Sequence, residues 1–343
     1  MVGGAVDGGD VMWERLAALP LEVEGYTLEK LQGGERITTL LRLRGDGQEG
    51  VGEEIGAMRP EDHDAFVAQA PLPLAGTWTL ESFCEHLATL EQWEEPPEWG
   101  DMPRRWRNWA YESAALDLAL RQAGLPLHEA LRREPRPLTF VNSLGLGDDP
   151  STDTIARRLE RYPTVGFKLD AAPNWSPEII EMLAGTGMVR TIDFKGRYGL
   201  EVEGDFAPVY DAVVELLPDA LIEDPHAGVE GLPIERVSFD APIKRVADIG
   251  DTRTINIKPT RIGGLRPLLE IYEHCAEHGV AMYGGGMGEL GPARMQIQLL
   301  AALFHPDGPN DVAPPAFNLP EPVEGLPPSP LIVGSLPVGF RLR

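Results

Sequence analysis

Only five of the 343 residues are lysine (Lys30, Lys168, Lys195, Lys244 and Lys258), against 25 arginines. A chain that otherwise uses arginine for positive charge keeps lysine where arginine cannot serve. A guanidinium holds its proton, whereas an amine in an apolar setting can release it and act as a base. Three of the five follow short apolar, β-branched runs: Lys168 in Gly166-Phe-Lys-Leu-Asp170, Lys195 in Thr191-Ile-Asp-Phe-Lys-Gly196, and Lys258 in Ile255-Asn-Ile-Lys-Pro-Thr-Arg-Ile-Gly-Gly264. Asp170 and Asp193 each stand two residues from one of these lysines, and side chains two apart in a strand share a face. Glu223, in Leu221-Ile-Glu-Asp-Pro225, and Asp240, in Val237-Ser-Phe-Asp-Ala-Pro242, end two further runs.

Asp193, Glu223 and Asp240 thus close three successive candidate strands. In a parallel barrel such residues converge on the mouth at the strand C-termini. Converging like charges cost energy unless a cation neutralises them. Hard oxygen donors suit Mg²⁺, with Mn²⁺ as a substitute. A single acid at a strand end more often makes a salt bridge or caps a helix; three on consecutive strands between lysines favour a metal. Asp248 is an alternative third ligand, because the unit before Asp240 is short. Asp224 would face away from the mouth if its strand persisted, leaving it a capping or supporting role. Glu289 either reaches the pocket or starts the next helix. The Gly284-Gly285-Gly286 run suits either a phosphate cradle or close backbone approach to a substrate. His226 and His305 lack metal-ligand spacing, and Ser143 lacks a nucleophile-elbow context.

The elements that must position these groups alternate. Candidate strands lie at 137–144, 164–169, 189–194, 219–223, 236–240, 254–258, 279–283 and 310–313, and candidate helices at 151–162, 176–185, 206–217, 265–278 and 290–303. Such alternation, repeated this often, predicts an α/β chain whose parallel strands close into a modified TIM (β/α) barrel, spanning residues 108–313. Residues 1–107 predict an N-terminal α+β capping domain, completed by the Pro-rich tail 314–343. Within the cap, Arg36–Arg44 and Glu49–Ile55 read as a hairpin turned at Gly45-Asp-Gly47, and 79–93 as a helix. The segments 1–16 and 56–75 are candidates to cover the barrel mouth. Trp93, Trp99, Trp106 and Trp109 gather near the domain junction, as core or as lining for an apolar substrate.

The order Asp193, Glu223-Asp-Pro225, Asp240 and Ile257-Lys-Pro-Thr-Arg-Ile-Gly-Gly264 resembles the enolase superfamily, in its muconate cycloisomerase and o-succinylbenzoate synthase branch (the mandelate racemase/muconate lactonizing enzyme family). The resemblance runs nearly full length. It includes Gly50-Val-Gly-Glu53, Glu112-Ser-Ala-Ala-Leu-Asp-Leu-Ala-Leu120, Gly284-Gly-Gly-Met-Gly-Glu289 and Pro337-Val-Gly-Phe340. It implies a Mg²⁺-dependent enzyme that abstracts the proton α to a substrate carboxylate, with a lysine base and an enolate intermediate. Cycloisomerase, racemase or epimerase, and dehydratase reactions are all covered. A barrel that binds a carboxylate ligand without turnover is the alternative. The chain departs from the pattern on two strands. Lys168-Leu-Asp170 stands where that branch has Lys-x-Lys, whose second lysine is the usual base, and Asp193-Phe-Lys195 stands where it has Asp-x-Asn. Three readings follow. Lys195 replaces the missing base opposite Lys258; or Lys195 pairs with Asp170 and leaves Lys258 as the only acid/base; or Lys195 displaces the ion. Glu289 and Gly285 are the expected substrate contacts.

Bulk composition bounds the partners. A net charge of −24 and a pI near 4.6 exclude the basic surface that nucleic acid or anionic membrane requires. The expected partner is a small-molecule carboxylate, and a homo-oligomer is compatible with the chain. Cys84 and Cys275 are isolated and read as reduced thiols of a cytoplasmic protein. No apolar run is long enough to span a bilayer.

Overall fold

The computed structural model describes residues 12–56, 59–93, 100–199, 204–321 and 323–342. The Gly-rich start, residues 1–10, and Trp99 lie outside them. Helix α1 (Met12–Ala17) leads into β1 (Pro20–Val23). Three antiparallel strands follow: β2 (Gly25–Gly33), β3 (Arg36–Gly45) and β4 (Gln48–Glu54). The tight β3–β4 turn needs left-handed backbone at Asp46 and Gly47, whose φ angles are 48° and 66°. Helix α2 (Pro60–Ala68), strand β5 (Gly76–Thr79), which pairs antiparallel with β1, and helix α3 (Leu80–Thr89) complete this layer.

The long helix α4 (Met102–Gln122) lies directly on β4. Gly50 and Gly52 make that approach possible. A Cβ on Gly50 would stand 2.2 Å from Ala114 O, and one on Gly52 would stand 1.9 Å from Ala110 O. Asp117 of α4 is buried and accepts bonds from Val51 N (3.1 Å) and Phe340 N (2.8 Å), so one carboxylate ties cap strand, helix and chain end together. Helix α5 (Leu127–Leu131) then hands the chain to the barrel.

The barrel strands are β6 (Val141–Gly145), β7 (Gly166–Asp170), β8 (Val189–Asp193), β9 (Leu221–Glu223), β10 (Val237–Ser238), β11 (Thr254–Ile257) and β12 (Ala281–Gly284). Strands β6 to β10 form one parallel sheet, and β11 and β12 another. Single parallel bridges close the ring: Phe239 with Ile255, Gly285 with Asp311, and Asn310 with Phe140. The eighth strand expected at 310–313 is thus reduced to two bridging residues. Outer helices α6 (Asp153–Arg161), α7 (Pro177–Thr186), α8 (Ala207–Leu216), α10 (Leu265–His278) and α11 (Pro292–Phe304) follow their strands, and a short α9 (Pro259–Ile262) follows β11. Between β9 and β10 there is only a 3-10 turn, Ile234–Arg236, and between β10 and β11 only another, Val246–Asp248, so two units lack the outer helix of a regular barrel.

Two joints hold the cap to the barrel. Buried Glu53, at the end of β4, accepts from Leu290 N (2.6 Å), Gly291 N (2.9 Å) and Ala293 N (3.2 Å), the amides that open α11. Arg36 Nη2 donates to Met287 O at 2.7 Å. In the tail, Leu331 bridges Leu138 and Gly339 bridges Pro126. No helix among the described residues is long and apolar enough to cross a membrane.

Candidate active site

Strand register builds the site. Asp170 is paired with Asp193 and Asp193 with Glu223, so three acids stand in one row across β7, β8 and β9. Lys168, two residues before Asp170, is buried beneath this row. Its ammonium bonds Glu223 Oε1 and lies 3.3 Å from Asp193 Oδ2. Glu223 Oε2 accepts from the buried Tyr283 hydroxyl, and Asn256 Nδ2 lies 3.4 Å from both Glu223 oxygens.

The strands end in unusual backbone. Lys195 (φ 52°) and Asp224 (φ 45°) are two of only four non-glycine residues with positive φ among the described residues. That conformation costs roughly 1–2 kcal/mol for an ordinary side chain, and here it folds both side chains back toward the mouth. Lys195 N donates to Asp193 Oδ1 at 2.9 Å. Its ammonium sits 3.1 Å from Asp193 Oδ2 and 3.0 Å from Asp170 Oδ1. Asp224 does not face away, because β9 stops at Glu223 and does not persist. One carboxylate oxygen from each of Asp193, Glu223 and Asp224 lies within 4.8 Å of the others. The Asp224 oxygens also accept from Asp240 N and Ala241 N, both at 2.9 Å.

A second group faces this one. Asp240, fully buried, binds Lys258 Nζ at 2.8 Å through Oδ2 and the Arg261 guanidinium through Oδ1. The Tyr198 hydroxyl donates to Asp240 Oδ2 at 2.6 Å and accepts from Arg261 Nη2 at 2.9 Å. Asp248 is engaged elsewhere, accepting from Lys244 N at 3.1 Å and pairing with Arg245 at 3.2 Å. Gly285 runs beside Lys258, and a Cβ there would stand 2.6 Å from Lys258 Cε and 2.7 Å from Asn256 Oδ1. Glu289 is buried and braced: it accepts from Thr260 Oγ1 and Met287 N, each at 2.9 Å, and pairs with Arg294 at 3.5 Å.

Burial and charge set the ionisation. Burial alone would lower Lys168, but Glu223 and Asp193 hold its proton well above the usual lysine range. Burial, with Asp193 and Asp240 nearby, pushes Glu223 up to about 8 against the pull of Lys168. Asp240 lies far below the usual carboxylate range, because Arg261 and Lys258 overcome its burial. Lys195 is held above its ordinary value: burial lowers it, and Asp193 with Asp170 more than offset that. Lys168 and Lys195 are therefore ammonium ions in this arrangement.

The residues fit a hard cation. Asp193, Glu223 and Asp224 supply clustered carboxylate oxygens. Lys168, Lys195, Lys258 and Arg261 are interleaved with five carboxyl groups, those of Asp170, Asp193, Glu223, Asp224 and Asp240. Two buried oxygens beside the cluster, Asn256 Oδ1 and Thr191 Oγ1, have no hydrogen-bond partner.

The structure adds four polar residues that the reading of strand ends omits: Tyr198, Asn256, Arg261 and Tyr283. Asn256 and Tyr283 were within reach of the period-two rule, since each stands two residues before a chosen position, Lys258 or Gly285. Tyr198 follows a loop whose course no pattern gives.

Comparison with known proteins bears on the family and the fold. Residues 14–130 match the model of the domain of unknown function (DUF8230) N-terminal domain, and residues 134–319 that of the DUF8230 C-terminal domain. An o-succinylbenzoate synthase of Geobacillus kaustophilus is 28% identical over 218 residues, 60% of this chain and 58% of that enzyme. The chain thus spans less than two thirds of that relative's length. An N-succinylamino acid racemase of Thermus thermophilus is 26% identical over 316 residues, 87% of this chain and 84% of the relative. The crystal structure of a dipeptide epimerase from Methylococcus capsulatus, complexed with Mg and the dipeptide L-Arg-D-Lys, superposes with a TM-score of 0.68 at 21% identity, covering 94% of this chain and 98% of that one.

Proposed function

We propose, on the premise that this chain belongs to the DUF8230 family and has the enolase-superfamily fold of the muconate cycloisomerases, that it removes the proton α to a substrate carboxylate with Lys258 as the acid/base. The observation that carries this reading is the setting of Lys258. Its amine is anchored 2.8 Å from Asp240 at the strand ends, facing the acid row, with Gly285 leaving room along its stem.

Asp193 and Glu223 would hold a divalent ion, with Asp240 or Asp224 as third ligand. Such an ion, Mg²⁺ first, would supply positive charge to a substrate carboxylate and to its enolate. Everything else falls to the chain's own groups. Asp240 orients the Lys258 amine, and Arg261 and Tyr198 fix Asp240 in turn. Lys258 Nζ takes the α-proton and holds it for return or for a departing group. Opposite stands Asp170 paired with Lys195, where a second lysine is absent. Racemisation needs an acid/base on each face, so one available amine favours single-face chemistry: a dehydration or a cycloisomerisation.

N-succinylamino acids and dipeptides, the compounds named for the relatives, are the first substrates to try. In D₂O with Mg²⁺, NMR should show loss of the α-proton signal without inversion of configuration. Lys258→Met should slow this by at least about 10³-fold, the scale of a lost acid/base. Exchange that persists in that variant would sink the assignment. One observation favours the second reading, a carboxylate binder without turnover: Lys168, Lys195 and Lys258 are all ion-paired. A raised melting temperature with carboxylates, but no exchange of any of them, would decide for it.

A further inference from the structure

We infer that Lys195 is a built-in counter-ion that competes with a divalent cation for Asp193 and withdraws to Asp170 when the cation binds. This rests on the reading above that Asp193 helps to hold an ion. The ammonium is shared almost equally, 3.1 Å from Asp193 Oδ2 and 3.0 Å from Asp170 Oδ1. Only Asp193 belongs to the buried oxygen cluster; Asp170, at the rim, does not. An arriving cation needs the same Asp193 oxygens and repels the ammonium beside them. Lys195 has somewhere to go, since its second carboxylate is already in contact. Its side chain is 38% exposed, as is that of Asp170, so the move needs no repacking of the core. Lys168 differs: it is fully enclosed, and both of its carboxylate partners belong to the cluster.

The backbone keeps Lys195 on this duty. Its left-handed φ aims the residue back over Asp193, and the next residue fixes that turn. Gly196 N donates to Asp224 O at 2.8 Å, and a Cβ on Gly196 would stand 2.4 Å from His226 N. The loop therefore has no slack to carry Lys195 away from both acids. The consequence is a site that binds its ion in exchange for an internal charge, with weaker affinity than the same acids would have without the lysine.

The test is Mn²⁺ binding, read from the electron spin resonance of free Mn²⁺ and, with Mg²⁺, by calorimetry. Wild type, Lys195→Met, Lys195→Gln and Asp170→Asn are compared, with Asp193→Asn as the control that should lose the site. Thermal melts confirm folding, and either Lys195 variant suffices if the other does not fold. Both Lys195 variants should bind at least about ten-fold more tightly, the scale of one removed repulsive charge in a partly wet site. Asp170→Asn should bind about three-fold more weakly, because Lys195 then has only Asp193. Unchanged affinity in the Lys195 variants would overturn the inference and leave the ion itself standing. Absence of binding in every protein, wild type included, would overturn both.

Discussion

At the scale of single residues, Gly285 makes the sharpest demand. A methyl group there meets the Lys258 stem at 2.6 Å and Asn256 at 2.7 Å, so Lys258 must shift if Gly285 becomes alanine. Displacing a reacting group by an ångström costs on the order of 10²-fold in rate. Gly285→Ala is therefore expected to lower α-proton exchange by about that factor while the fold survives. The measurement is exchange rate against circular dichroism; an unchanged rate would show that the Lys258 position does not matter. The lysine and acid positions were legible because strand-end residues two apart share a face. Asp224 was not, since its placement depends on a left-handed turn that the apolar pattern of the strand does not announce. Nor did the one-dimensional pattern show that Lys168 would lie among the very acids it was meant to serve beside.

At the scale of elements, the last barrel strand is the instructive case. Asn310 does the work of a strand with one side chain. Its Oδ1 accepts from Gly284 N (2.6 Å) and from His305 Nδ1 (2.7 Å), while its Nδ2 donates to Thr139 O, His305 O and Gly308 O. His305 is buried, which pushes its pKa down to about 4 from an ordinary 6.5. A depressed folded-state value means that the unfolded chain binds the extra proton first. The contribution is thus fully present above pH 6.5 and is lost as pH falls from 6.5 through 4, by up to roughly 3 kcal/mol. Chemical denaturation across that window should show the loss, and His305→Gln should flatten it; an equal slope in the variant would exclude His305 as the cause. Most strands and helices were legible, because apolar runs and amphipathic stretches alternate with clear stops. The eighth strand was legible only as a location, because a side-chain knot leaves no apolar run to read.

At the scale of the whole molecule, the excess of acids dominates. With a net charge of −24, exposed carboxylates repel one another in the folded state. Raising salt from about 0.1 M to about 1 M shortens the screening length from roughly 10 Å to 3 Å. The melting temperature is expected to rise across that range in KCl, and a flat or falling profile would count against self-repulsion as a limit on stability. The barrel mouth differs from that surface in being paired: Lys168, Lys195, Lys258 and Arg261 each contact one or more of its acids.

Glu53 has a consequence for how small molecules come and go. Its carboxylate is held by three amides of the neighbouring domain and by Thr38 Oγ1 at 2.7 Å. Swinging the lid aside would break the three amide bonds to this carboxylate, and bonds to a charged group are worth roughly 1.5–3 kcal/mol each. The roof is thus expected to stay bolted at this corner while small molecules come and go. Hydrogen exchange gives the check: the amides of Leu290, Gly291 and Ala293 should exchange only on global unfolding, and Glu53→Ala should release them to fast local exchange.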